Sequence, residues 1–346
     1  MKMDRMNPHA KNVFAVLGIS RSGTSAIARS LKACGIDLGS NLLAGDERNP
    51  KGFYEDADIL YKINRGVSHA LDDPWMTVGS LDKASIAEHP ILKNYRNYAI
   101  NLLQERLAKT AYWGFKDPRT TSILPFWQSV FDAIPVNDHY VIALRNPLAV
   151  AYSNKKFANL DLEVGMMLWL IHSFAAVEGT YNKKRVVISY EAMLQDAPKQ
   201  LQRIHTAFSL PFSLATPEVE QYQNEFLDKS LSHYAADDGE LKKHPVIAIV
   251  PLCWQVYELL LSLAEDRLTF DSVEFQFAWR QIQDEFAKVY PIYQWIHRQL
   301  KQHQTVEKDL RRMHRSISWK LIYPIRKMDE IFRRVKKKSK EAKRLR

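Results

Sequence analysis

Between Gly18 and Ser25 the chain reads Gly-Ile-Ser-Arg-Ser-Gly-Thr-Ser. Two glycines followed by two hydroxyl side chains are suited to holding an anion. Glycine lets the backbone approach a phosphate or sulfate closely, and the amides of a turn entering a helix aim their N–H groups at it. The spacing follows the P-loop, G-x-x-x-x-G-K-[ST], with Gly18 and Gly23 at the glycine positions and Thr24-Ser25 where Lys-Ser would stand. The lysine that neutralises a nucleotide's β- and γ-phosphates is missing, and the loop's cation is Arg21. Such a loop suits a phosphate or sulfate group rather than metal–nucleotide chemistry. Alone, the same pattern also fits a plain strand–turn–helix corner, so the other charged segments decide.

The elements around the loop follow from periodicity. Val13–Leu17 is a five-residue apolar run and reads as a buried strand. Thr24 and Ser25 are placed to cap a helix running to about Cys34, which Gly35 ends. A long polar loop from Gly39 to Tyr61 follows and carries Asn49-Pro50-Lys51-Gly52-Phe53-Tyr54-Glu55; long loops of this kind are usually functional. Residues 60–110 read as mostly helical, with a turn at Pro74-Trp75. Strands are expected at Tyr112–Phe115, Tyr140–Leu144 and Arg185–Ser189, and helices at Leu162–Ala176 and Gln200–Phe208. Trp169 and His172 belong to the core of the first of these helices. Strands alternating with helices imply an α/β, three-layer fold with a central parallel sheet, followed by a helical C-terminal extension. The charged run Lys116-Asp117-Pro118-Arg119 then falls at the carboxyl edge of the sheet, where open α/β sheets bind ligands.

Composition sets the outer bounds. The 346 residues suffice for one large α/β domain and an appendage. Two cysteines, Cys34 and Cys253, offer no disulfide framework, which points to a reducing cytosol. Residues 1–12 have no apolar core of the secretory-signal kind. The apolar stretches 164–177 and 246–254 are too short to span a bilayer. Of the net charge of +10, residues 320–346 supply +9, with twelve Lys/Arg against three acids. The basicity belongs to the tail.

The segment Ser20-Arg21-Ser22-Gly23-Thr24-Ser25 resembles the 5′-phosphosulfate loop of sulfotransferases that use 3′-phosphoadenosine 5′-phosphosulfate (PAPS), in which Lys or Arg precedes Ser-Gly-Thr. The resemblance runs over roughly residues 13–235. It implies that Arg21, Ser22, Gly23, Thr24 and Ser25 bind the donor's 5′ end. Arg145, Pro147 and Ser153 match the family's 3′-phosphate element in spacing; a guanidinium fork and a helix serine suit a phosphate. That element separates PAPS from ATP. Asn49–Glu55 is similar to an N-x-x-G-[FY]-[FY]-E segment of bacterial and heparan-type members, which makes Glu55 the leading general base. Lys116 is implied to stabilise charge on the leaving phosphate. Asp117 is the alternative base, and Arg119 is a candidate for sulfate or an acidic acceptor, with a structural Asp117–Arg119 ion pair as the plainer alternative. The histidine of the cytosolic members is absent. Tyr190 is implied to lie near the adenine, and His233 near cofactor or acceptor.

Three segments are expected: a domain over 1–240, a helical extension over 241–315, and a basic amphipathic tail over 316–346. Ile292, Ile296, Leu300, Val306, Leu310 and Met313 suggest an amphipathic helix or a short coiled coil, and with it self-association. Ser316–Arg326 resembles a segment of bacterial surface-polysaccharide enzymes, and its Trp and aliphatics among Lys/Arg would suit an anionic membrane surface. The expectation is a cytoplasmic PAPS-dependent sulfotransferase, peripheral at the inner membrane face, acting on a carbohydrate or glycolipid hydroxyl without metal. Nucleic acid is not an expected partner. The alternatives are a P-loop kinase using ATP and Mg²⁺, and a non-catalytic membrane-associated scaffold.

Overall fold

The computed structural model describes residues 11–47, 49–71, 86, 89–228 and 238–316, with 319, 322–323 and 327–328 of the tail. The readings placed on Pro74-Trp75, on His233 and on most of 316–346 lie outside the described residues.

Four parallel strands, β1 (Lys11–Leu17), β2 (Tyr112–Lys116), β3 (Val136–Leu144) and β4 (Lys184–Ser189), form a sheet in the order β2-β1-β3-β4. The principal helices are α1 (Thr24–Ala33), α2 (Arg65–Ala70), α3 (Lys93–Lys109), α4 (Arg119–Ser122), α5 (Leu124–Phe131), α6 (Pro147–Ala158), α7 (Leu162–Gly179), α8 (Tyr190–Gln195), α9 (Ala197–Phe208), α10 (Leu252–Ala264) and α11 (Val273–Arg315). Alternation along the strands sends side chains to both faces, and both are covered. Phe14 and Val16 join Ile27, Leu31, Ile204 and Phe208 of α1 and α9 in one core. On β2, Trp113 and Phe115 stack at 5.4 Å, and Phe115 meets Trp127 of α5 at 4.7 Å. Gly114, opposite Phe14 in the ladder, leaves room between them.

The register brings the strand ends level. Val16 pairs with Lys116, Leu17 with Ile142, and Leu144 with Ser189. The residues that follow, Gly18, Asp117, Arg145 and Tyr190, therefore leave the sheet along one carboxyl edge. β3 begins at Val136, earlier than its apolar run predicts, because Val136–His139 pair with Lys11–Phe14. His139 is buried there against Asn12 Oδ1 at 3.0 Å.

Helix α7 is apolar all round, the mark of a buried helix. Its 18 residues meet the length and composition of a membrane span, beyond the 14 that the sequence suggested, yet 72% of it is buried inside the protein. Gly165 lets it approach α6, where a Cβ would stand 3.0 Å from Ala151. Trp169 Nε1 donates to Arg145 O at 3.1 Å and fixes the end of β3.

A compact unit extends to Gln294, and a second comprises Trp295–Arg346. Residues 246–294 pack on the α/β body. Cys253 Sγ reaches Met166 O at 3.3 Å, Trp279 Nε1 donates to Glu178 at 2.6 Å, and Phe286 stacks on Phe174 at 4.1 Å. Cys34 and Cys253 are buried free thiols, and burial pushes Cys34 up to about 12.

His172 lies in the core of α7, as its apolar neighbours predict, between Ser122 Oγ at 3.1 Å and Leu168 O at 2.8 Å. Burial pushes its pKa from 6.5 down to about 4. Between those values the unfolded chain binds a proton that the folded chain excludes, so stability falls as pH falls. Lowering pH from 6.5 to 5 removes about 1.5 kcal/mol through this group, because the unfolded imidazole is already half protonated at the upper value. Urea titrations at the two pH values check this: the wild type loses that increment more than His172→Gln does.

Candidate active site

The turn after β1 holds an unusual backbone. Gly18 has φ +141°, Arg21 +73° and Gly23 +76°. Gly23 is the N-cap of α1, and no side chain caps the helix. Thr24 and Ser25 thus sit inside the first turn instead of capping it. The first intrahelical bond of the turn runs from Ile27 N to Gly23 O, at 3.1 Å. The amides of Thr24, Ser25 and Ala26 consequently have no intrahelical acceptor. Gly23, Thr24, Ser25 and Ala26 line one wall of a cavity of about 450 Å³, within the roughly 300–1,000 Å³ of ligand clefts. The positive end of α1 opens into it. Ser22 is buried, does not line the cavity, and closes the turn through its amide to Ile19 O at 3.3 Å.

Opposite the loop lies a buried ion pair. Lys116 Nζ stands 2.7 Å from Glu55 Oε1, with side chains 3% and 10% exposed. The 39–58 loop delivers Glu55 there by folding back on itself, Leu43 N donating to Glu55 O at 2.9 Å and Ala57 N to Asn41 O at 2.8 Å. Asn49 Nδ2 bonds Gly52 O at 2.6 Å and Ser25 Oγ at 3.0 Å. Ser25 Oγ donates to Phe53 O at 3.1 Å, and Lys116 Nζ also reaches Phe53 O at 3.2 Å. Arg106 of α3 holds the loop's far end through Asp56 and Asp58, at 3.3 and 2.8 Å. Burial raises the Asp56 pKa despite that partner.

Asp117 is fully buried and does not line the cavity. Its Oδ1 accepts from Arg119 N and Nη1, both at 3.0 Å, and its Oδ2 from Asn64 Nδ2 at 3.0 Å. Both oxygens of this candidate base are thus engaged by Arg119 and Asn64, away from the cavity. Trp127 Nε1 closes the chain on Asn64 Oδ1 at 2.9 Å. Arg119 itself lines the cavity.

On the other side of β1, Arg145 Nη1 donates to Arg21 O at 2.8 Å, and its guanidinium lies over the Tyr190 ring at 4.7 Å. Glu191 stands 3.9 Å from Arg145 Nε and accepts from Asn146 N at 3.2 Å; burial raises its pKa. The Tyr190 ring also rests on the loop, where a Cβ on Gly23 would meet it at 2.3 Å. Burial raises the Tyr190 pKa, and Arg145 opposes that rise. Ser153 is buried on α6, does not line the cavity, and accepts from Arg21 Nε at 2.8 Å. Arg21 thus points toward α6, its guanidinium over the Phe157 ring at 4.5 Å.

The structure brings Arg21, Gly23, Thr24, Ser25, Glu55, Lys116, Arg145 and Tyr190 to one cavity, and sets Ser22, Asp117 and Ser153 behind its wall. Sequence reasoning missed Asn64, Arg65, Asn154 and Phe157. Asn154, beside Ser153, is 2% exposed, lines the cavity, and its Nδ2 has no hydrogen-bond partner among the described residues. Among the described residues, no group of His, Cys, Asp and Glu could hold a metal ion.

Two solved structures are similar to this chain. They are the sulfotransferase domain from the Synechococcus PCC 7002 olefin synthase (15% identity, covering 82% of this chain and 98% of that one, TM-score 0.39) and the sulfotransferase domain from the curacin biosynthetic pathway (15% identity, 79% and 98%, TM-score 0.37). No family model matches the chain, and no curated protein matches it.

The contact between Tyr190 and the loop has a measurable consequence. Gly23→Ala must relieve both a clash with the ring and a positive φ, which alone costs roughly 1 kcal/mol or more. The double variant Gly23→Ala/Tyr190→Ala removes the clash only. Denaturation midpoints are expected to fall most in Gly23→Ala, relative to its own Gly23 parent, and less in the Tyr190→Ala background.

Proposed function

We propose that the protein transfers a sulfuryl group from PAPS to a hydroxyl of a carbohydrate acceptor. The observation that carries this reading is the Lys116–Glu55 pair at 2.7 Å on the wall of the same cavity as a lysine-free anion cradle. Arg145 stacked on Tyr190 at the next strand end supports it, since this suits a nucleotide with a second phosphate. The cavity residues fit such a donor. The amides of Thr24, Ser25 and Ala26 would hold its 5′-phosphosulfate, Arg145 its 3′-phosphate, and the Tyr190 ring offers an apolar face to the base.

Glu55 accepts the proton of the acceptor hydroxyl. Lys116 engages one of its carboxylate oxygens, and the other makes no hydrogen bond among the described residues. As the acceptor oxygen bonds to sulfur, the bond from sulfur to the 5′-phosphate oxygen breaks, and 3′-phosphoadenosine 5′-phosphate (PAP) leaves. Lys116, hydrogen-bonded to Ser25 Oγ at 3.4 Å on the cradle itself, offsets negative charge on the departing oxygen. Positioning and electrostatics carry the rate, as in phosphoryl transfer. Arg21 Nε donates to Ser153 Oγ and Arg145 Nη1 to Arg21 O, and together these bonds fix the loop for the donor.

The setting we propose is bacterial surface-polysaccharide or glycolipid synthesis at the cytoplasmic face of a membrane. Support for it comes from the 316–326 segment and from the +9 charge of residues 320–346.

Calorimetric titration with PAP, ATP–Mg²⁺ and 5′-AMP tests the donor. PAP is expected to bind at least tenfold tighter than either, and Arg145→Ala to remove that preference. Equal affinity for ATP would overturn the reading in favour of a kinase. With an acceptor in hand, Glu55→Gln is expected to lower kcat by about 10²–10⁴-fold, the range of general-base catalysis, with little change in PAP affinity.

A further inference from the structure

The cavity's cations lie on both sides of the anion loop. Arg21, Lys51, Arg65, Lys116, Arg119 and Arg145 line it, against Glu47, Glu55 and Asp228. Lys51 is tied to Glu225 O at 2.6 Å. Sheet order sorts the rest. Arg145 and Tyr190 follow β3 and β4 on one side of the loop, and Lys116 and Arg119 follow β2 on the other. A donor whose nucleoside end lies by Arg145 and Tyr190 leaves the β2 side to the acceptor. There Glu55, Arg119 and Arg65 meet the cavity.

Arg119 is held with unusual care. Trp127, Asn64 and Asp117 are each fully buried and bonded in series, and the series ends on Arg119 Nη1. Asn64 also bonds Thr120 Oγ1 at 3.2 Å. Burying a carboxylate and a guanidinium is expensive and adds little stability over apolar packing. What the network provides is a guanidinium fixed at the cavity wall before any ligand arrives. Fixed forks of this kind recognise carboxylates and phosphates. At the exposed rim, Arg65 lies over the Tyr61 ring at 4.6 Å.

We propose that the acceptor carries an anionic group, a carboxylate or a phosphate, held by Arg119 and Arg65 on the β2 side while Glu55 reaches its hydroxyl. This rests on the sulfuryl-transfer reading of the same cavity and names its acceptor class. Asp117 and Asn64 are positioning residues for Arg119.

The test uses the full chain saturated with PAP, and ligand-observed NMR with three sugars: glucose, glucuronate and glucose 6-phosphate. One charged sugar is expected to bind at least tenfold tighter than glucose, and which one distinguishes carboxylate from phosphate. Arg119→Gln and the exposed Arg65→Gln are each expected to reduce that preference severalfold, with PAP affinity within twofold of wild type. Arg119→Lys is expected to restore part of it. Asp117→Asn keeps the guanidinium but loosens it, and is expected to fall between wild type and Arg119→Gln. Equal binding of the three sugars, binding of none, or a preference that survives both glutamine variants overturns the proposal. Failure of the wild type to take up PAP is read separately, in the saturation step, and counts against the donor. The sugars are then compared on the unliganded chain. A preference lost in Arg119→Gln but kept in Arg145→Ala upholds the subsite, and the reverse overturns it.

Discussion

The arrangement depends on one nearly dry ion pair. Lys116 and Glu55 meet at 2.7 Å in a place where water screens them little. Such a pair gains little over apolar packing, but removing one partner alone strands a buried charge, typically at about 3–5 kcal/mol. The pair is therefore a constraint before it is a source of stability. Its ammonium also bonds Phe53 O and Ser25 Oγ. Through one side chain, the end of β2, the first turn of α1 and the return of the 39–58 loop are held in register.

That constraint has meaning only because the strands are parallel. Parallel strands need crossovers, and the crossovers place every strand-to-helix turn at the same edge. The level strand ends let residues far apart in the chain meet at one edge: Arg21 with Ser153, Lys116 with Glu55, Arg145 with Tyr190. The buried helix α7 supports this edge from behind, through Trp169 to Arg145 O and His172 to Ser122.

Much of this was legible in the sequence because it is local. The apolar runs mark the strands, the glycine spacing marks the cradle, and charged residues just beyond each strand mark the edge. What was not legible depends on side-chain direction and distant partners. Nothing around Asn64 announces that it bonds Asp117, 53 positions on. Asp117 is attractive as a base from its place in Lys-Asp-Pro-Arg, and only the geometry turns it inward. Thr24 and Ser25 have capping chemistry, yet the left-handed Gly23 takes the N-cap. A boundary at 240 follows from a shift to helical pattern, but pattern does not tell that Phe174 and Trp169 have partners beyond it, at Phe286 and Tyr257.

Thr24 at the P-loop lysine's position, with Arg21 as the loop's cation, ties these points together. A lysine is a compact point charge that rests on the phosphates its own loop encloses. Arg21, at φ +73°, instead spans outward: its carbonyl accepts from Arg145, its Nε bonds Ser153, and its plane covers Phe157. A non-glycine residue in that conformation is strained, and such strain persists where the surroundings over-determine it. Here β3 and α6 supply the determination. The consequence is that positive charge is not concentrated under one phosphate but spread from the end of β1 to the end of β3. A single small anion meets only part of that spread, whereas a ligand with anionic groups at two separated positions meets all of it. The loop's departure from the P-loop pattern is thus the local cause of a site whose cations stand at separated positions along the edge.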